Sequence, residues 1–292
     1  MKLATLALSL LLLLAPAARV VAQDLTPDEY QAAVTQLASA EATERSAAAT
    51  TLGRRGRAHR AEIVPTLRQL LREDPQWEVR AAAGQALGRL AARDAVPDLV
   101  RALRDPVVDV RVVAAAAIWR LPDPAAVPAL VELLADADHT ARDQAALALG
   151  VIRDTRATTP LSGLLHDPDA TVRLDVVRSL GRIRDRAALE PLETFVRESR
   201  DAEERAEGIN AIAALEAPER MDALGRLLDH TDRGVRQHAA EALGQVGDAL
   251  VLPTLRHRLT VERVPQVRSA ITAAIAAVEA RAATPPTTTT GG

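Results

Sequence analysis

An arginine returns along this chain at Arg45, Arg80, Arg111, Arg142, Arg173, Arg205, Arg236 and Arg268, in steps of 35, 31, 31, 31, 32, 31 and 32 residues. Seven residues after each stands a branched aliphatic, namely Leu52, Leu87, Ile118, Leu149, Leu180, Ile212, Leu243 and Ile275. The next position is glycine at Gly53, Gly88, Gly150, Gly181 and Gly244, and is replaced by Trp119, Ala213 and Ala276 in the other copies. A period near 31 residues is too short for a domain and too regular for chance. It predicts one supersecondary unit, stacked on copies of itself because no copy can bury its apolar face alone.

The unit is clearest between Asp167 and Ile183. Val172, Val176, Leu180 and Ile183, spaced at four, four and three, share one face of a helix. Asp167 is expected to cap that helix and Pro168 to occupy its first position, where a missing donor costs nothing. Upstream of each such helix, B, lies a second apolar segment with a proline, at Pro65, Pro97, Pro128, Pro160, Pro191 and Pro253, followed by Leu67, Leu99, Leu130, Leu161, Leu192 and Leu255. These segments are expected to be first helices, A, bent or begun at the proline. Asp94, Asp123, Asp154, Asp185 and Asp248 precede them as expected caps. With only Tyr30, Phe195, Trp77 and Trp119 as aromatics, thin layers of Ala, Leu and Val suit closely stacked helices better than one globular core.

The pattern Asp-Pro-x-x-x-Val-Arg-x-x-Ala-Ala-x-Ala-Leu-Gly, preceded by Ala-Val-Pro-x-Leu-x-x-Leu-Leu-x-Asp, resembles HEAT repeats of the short, phycobilisome-lyase-like type over residues 27–282. The resemblance implies an all-α fold, a right-handed α-solenoid of about eight helical hairpins of the HEAT-like or ARM type. It also implies that the Asp of each A–B turn and the Arg six residues later tie neighbouring repeats together. The matching pairs are Asp74 with Arg80, Asp105 with Arg111, Asp136 with Arg142 and Asp167 with Arg173. The sixth, seventh and eighth copies carry Ser199, His230 and Glu262 at the Asp position, so their turns are expected to be paired differently.

Residues 1–22 have the shape of a secretory signal peptide: Lys2, an apolar run to Ala18, then small residues at Val20 and Ala22 before a cut. The run is shorter than the roughly 20 residues that comfortably span a bilayer. The expectation is a solenoid over residues 23–282, periplasmic or secreted, without stable membrane insertion after cleavage. Residues 283–292, rich in Thr, Pro and Gly, are expected to be a disordered tail. Cleavage removes Lys2 and Arg19 and leaves 34 basic residues against 39 acidic ones. That balance, with so few aromatics, argues against a nucleic-acid partner. Zero cysteines excludes disulfide and thiolate chemistry.

No Ser, His and acid set stands out by spacing as a catalytic group, and no cofactor is expected. The enzymatic alternative is a metal-dependent or lyase-like protein using three turns that mix His with acids: Asp136, Asp138 and His139; His166, Asp167 and Asp169; Asp229, His230 and Asp232. Deoxyhypusine hydroxylases, which share HEAT-like hairpins, bind iron through His-Glu dipeptides, and this chain has none. Function is therefore expected on the surface, as a non-catalytic scaffold for a protein or peptide partner. The resemblance places positions two and five after each signature Arg on the concave side. There Val113 and Leu147, with Trp119, form an expected apolar patch, and Asp175, Arg178, Glu207, His238 and Glu241 an expected polar stretch.

Overall fold

The computed structural model describes residues 24–283. Sixteen α-helices form eight hairpins among the described residues, and no strand occurs there. The A helices are α1 (Pro27–Gln36), α3 (Arg60–Glu73), α5 (Val96–Ala102), α7 (Val127–Leu133), α9 (Thr158–Ser162), α11 (Leu189–Glu198), α13 (Arg220–Leu227) and α15 (Leu252–Val261). The B helices are α2 (Ala42–Arg55), α4 (Trp77–Arg89), α6 (Val108–Arg120), α8 (His139–Ile152), α10 (Ala170–Ile183), α12 (Ala202–Ala214), α14 (Arg233–Val246) and α16 (Pro265–Ala283). Each B helix packs on the next B helix and on its own A helix, which is an α-solenoid. The expected signal peptide and C-terminal tail lie outside the described residues.

The repeating aliphatics form the core. Leu52, Leu87, Ile118, Leu149, Leu180, Ile212 and Leu243 on the B helices, and Leu67, Leu99, Leu130, Leu161, Leu192, Leu224 and Leu255 on the A helices, are completely buried. Ile275 in the last described hairpin is only half-buried, since no further hairpin covers it among the described residues. Pro97, Pro128 and Pro253 begin their A helices, whereas Pro65 lies inside α3. Asp123, Asp154, Asp185 and Asp248 each accept a backbone N–H two residues on and start a short 3-10 turn ahead of the A helix. Asp94 makes no cap and faces Arg68 at 3.5 Å instead.

The glycine column explains the tight B-helix stacking. A Cβ on Gly88 would stand 3.0 Å from the Cα of Ala117, and one on Gly150 would stand 2.9 Å from the Cα of Ser179, on the next B helix in each case. Only a residue without a side chain allows that approach.

Two expectations about the turns are corrected. Helix α10 begins at Ala170 and is capped by Asp169, whose side chain accepts from Thr171 and Val172, so Pro168 lies outside it. Asp167 instead accepts the Asp169 N–H at 2.9 Å and turns the chain ahead of the cap. The Arg and Asp of one turn also do not pair through the carboxylate. Arg173 donates to the backbone carbonyls of Asp167 and Pro168 in its own turn. Its charge pairs with an acid of the next hairpin, and the same holds from Arg45 to Arg236.

The resulting ladder runs Arg45–Asp74, Arg80–Asp105, Arg111–Asp136 and Arg142–Asp167, with contacts of 2.7 to 2.8 Å. Where Ser199 replaces the turn Asp, Glu204 of α12 takes Arg173 at 2.6 Å and Ser199 donates to that same Glu. Where His230 replaces it, Asp232 meets Arg205 at 3.3 Å; Glu262 closes the ladder on Arg236 at 2.8 Å. A planar guanidinium fork suits this double task, holding its own turn by carbonyls and its neighbour by a carboxylate. Burial by itself would raise the Asp167 carboxyl, but Arg142 and the Asp169 N–H hold it below its ordinary value. Glu262, between Arg236 and Arg258, is held further below.

Candidate partner-binding surface

Positions two and five after the ladder arginine carry no ladder duty and are half-buried or exposed, so their side chains differ between repeats. The structure brings three of the expected polar residues together. Arg178 of α10 lies 3.2 Å from Asp175 on its own helix, 3.2 Å from Glu207 of α12 and 3.4 Å from Glu203 at the start of α12. The charges thus bridge two hairpins without entering the buried ladder.

Asp143 on α8 extends this strip into a third hairpin. Burial, and then the carboxyl of Asp175 facing it, raise the Asp143 pKa to about 6, against the amide of Gln144, which donates to it at 3.2 Å. Its Oδ1 is buried without a protein hydrogen-bond partner. Two carboxyls from neighbouring helices therefore meet, and burial keeps a proton on Asp143 into mildly acidic solution. The sequence carried a sign of it. The residue after the ladder Arg is Ala81, Val112, Leu174 and Ala206 in other hairpins, and an acid only at Asp143.

A raised pKa in the folded state means that folding retains a proton there. The associated stability is complete below the unfolded value of 3.8 and is lost as the pH rises through about 6. Asp143→Asn, which places an amide donor against Asp175, is expected to raise the denaturation midpoint at pH 7 and to leave it unchanged near pH 3.5. Chemical denaturation at a series of pH values checks this, and a variant that destabilises equally at both ends would show a different cause.

The remaining expected site residues are placed apart. His238 and Glu241 of α14 bond within their own helix, His238 Nδ1 to the Gly234 carbonyl at 2.8 Å and Glu241 to Gln237 at 2.9 Å. Val113 and Leu147 are half-buried, and Val113 Cγ1 would lie 3.4 Å from a Cβ placed on Gly84. Val113 thus fills space left by a glycine of the preceding hairpin. Trp119 is 42% exposed, with the Arg120 guanidinium 5.6 Å from its ring centroid.

The turns of the metal-dependent alternative are committed to the fold. Asp136 and Asp167 hold ladder arginines, Asp138, Asp169 and Asp232 cap helices, and His230 Nδ1 accepts the Asp232 N–H. Among the described residues no group of three or more His, Cys, Asp or Glu is arranged to hold a metal ion. No helix there is long and apolar enough to cross a membrane.

The sequence pattern of the family described as HEAT repeats matches residues 30–116, 102–181, 144–213 and 189–276. The chain is a member of the HEAT-repeat family. Among solved structures, the complex of CpcE and CpcF of phycocyanin lyase from Nostoc is similar at 22% identity and TM-score 0.50, covering 87% of this chain and 95% of that one. The YibA protein of Escherichia coli matches at 20% identity and TM-score 0.54, covering 87% and 82%. An engineered protein matches at 23% identity and TM-score 0.54, covering 86% and 78%. These likenesses are of fold. No curated protein sequence matches the chain.

Proposed function

We propose that this protein is an exported, non-catalytic scaffold that holds a protein or peptide partner along its B-helix face. The observation that carries the reading is the strip from Asp143 through Asp175 and Arg178 to Glu207, which crosses three consecutive hairpins without joining the ladder. Stacked hairpins offer a long, shallow surface, so affinity comes from summed area and a few anchors. HEAT-repeat membership accords with a protein partner, as does the CpcE–CpcF neighbour, itself a complex of two chains. The N-terminal run from Leu3 to Ala18 supports export.

The test uses residues that the fold does not need. Val113 and Leu147 are unsuitable, because charges there would disturb packing as well as binding. Arg178→Ala with Glu207→Ala is expected to keep the circular dichroism spectrum and to reduce recovery of one partner from an envelope extract by at least about tenfold, the scale of losing an anchor worth over 1 kcal/mol. Equal recovery by variant and wild type in quantitative mass spectrometry would remove this strip as the binding surface. A stoichiometric metal on the purified protein would overturn the scaffold reading itself.

A further inference from the structure

Three separate devices recur at the junctions between hairpins of this solenoid, and all three fail together at one junction. The first is the ladder. Its acids are between 2% and 10% exposed at Asp74, Asp105, Asp136, Asp167, Glu204 and Glu262, but Asp232, which meets Arg205 at 3.3 Å, is 36% exposed. Asp232 is moreover occupied as the cap of α14, accepting from Gly234 and Val235.

The glycine column is the second device. A Cβ on Gly181 would stand 3.1 Å from the Cα of Ala211, and one on Gly244 would stand 2.9 Å from the Cα of Ala274, so α10–α12 and α14–α16 close tightly. Between them, α12 carries Ala213 at the column position, and its methyl group forbids the same approach.

The third device is a buried apolar residue four positions before the buried A-helix Leu, Ile63 in the second hairpin and smaller residues beyond it. Ala95, Ala126, Ala157 and Ala188 are completely buried there, and Val251 nearly so. The seventh hairpin has Arg220, whose Nη1 donates to the Leu215 carbonyl and whose Nε is buried without a protein partner. A half-buried cation thus stands where the other hairpins carry a buried aliphatic, and its unpartnered Nε carries a desolvation cost that a looser arrangement would relieve.

We infer that the junction between the sixth and seventh hairpins is a hinge, about which α13–α16 rotate as one body against the hairpins before it. Trp119 also replaces a column glycine, but there the Arg111–Asp136 rung and the buried Ala126 are intact, so that junction stays tied. Across the hinge the A layer keeps two ion pairs, the exposed Arg186–Glu219 pair at 2.5 Å and Arg226 to Glu193 through two bonds of 2.8 and 2.6 Å; the second, with Glu193 nearly buried, serves as the pivot. The B layer, lacking both its tight rung and its glycine, is the side that opens. Glu207 lies on one side of the hinge and His238 and Glu241 on the other, so rotation changes the span between polar residues on the B-helix face. A hinge absorbed by a few residues at element ends is a common way for packed helices to move as bodies.

The chain has no cysteine, so introduced pairs are unique labels. Spin labels at Glu190→Cys and His257→Cys, both exposed, span the hinge, and Arg101→Cys with Thr159→Cys span two junctions outside it. The hinge pair is expected to give a distance distribution about twofold broader than the control pair, as for a region with few tying contacts. Ala213→Gly, Arg220→Ala and His230→Asp together restore the three devices and are expected to narrow it to the control width. Equal widths in the wild-type background overturn the hinge, and a broad distribution that survives the triple change overturns these residues as its cause. Hydrogen exchange separates rotation from end fraying. Fast exchange confined to amides near Leu215, with α13–α16 protected as a block, agrees with the hinge, whereas a gradient decaying from the C-terminal end overturns it.

Discussion

Leu180→Ala is expected to lower the stability of the protein by about 2–5 kcal/mol, with the unfolding midpoint in urea falling accordingly. Leu180 is completely buried in α10, and its neighbours leave it no route to collapse. Gly181 follows it, where a Cβ would stand 3.1 Å from the Cα of Ala211, and Ser179 precedes it, bonded at 2.8 Å to the Ala146 carbonyl of α8. The helix is therefore held on both sides at its closest approach to its neighbours, and cannot slide to fill a lost isobutyl group. The loss includes a cavity contribution in addition to the transfer of the methyl groups. Because contacts in a solenoid reach only adjacent hairpins, protection should fall most in α8, α10 and α12 and least in α2 and α16. Hydrogen exchange reads that distribution, and an unchanged midpoint would remove Leu180 from the core.

The fold was legible because its signals repeat. One arginine spacing, one aliphatic seven residues on and one glycine after that placed the B helices and their buried face, and every aliphatic in that column but the last is completely buried. The partner of each arginine was not legible. An Asp six residues before Arg142 and an Asp 25 residues after it recur with the same period, so the pattern alone cannot choose between Asp136 and Asp167. Geometry decides, since Arg142 points its Nη1 at the carbonyl of the first and its Nε and Nη2 at the carboxylate of the second. The cap was missed for a related reason. Asp167 and Asp169 are both good capping residues, and which one caps depends on where the turn ends. On the B-helix face, Asp175, Arg178 and Glu207 were recognised as charges outside the repeat. Asp143 has no signal of its role in its own helix, because only contact between α8 and α10 gives it one, and the half-burial of Val113 is not legible because the glycine beside it belongs to another hairpin.

The arginine ladder makes Asp167→Asn a second large loss. The side chain of Asp167 is 5% exposed and that of Arg142 is 12% exposed, with bonds of 2.7 and 2.8 Å between them. Replacing the carboxylate by an amide keeps the shape and the acceptor for the Asp169 N–H, but leaves a buried guanidinium without its counter-charge. Breaking a buried pair on one side typically costs about 3–5 kcal/mol, far more than the roughly 0–1 kcal/mol of an exposed pair such as Arg104–Glu132. Arg142→Ala with Asp167→Asn is expected to cost less than the two single changes added together, since the second change no longer strands a charge. The pH dependence identifies the cause. The Asp167 pKa is depressed in the folded protein, so its stabilisation is present above the unfolded value of 3.8 and lost as the pH falls through the folded value. The gap between wild type and Asp167→Asn should therefore be full at pH 7 and shrink in strong acid. A gap that stays constant down to pH 2 would mean that Asp167 acts by shape and hydrogen bonding, and that the hairpins are not held together by charge.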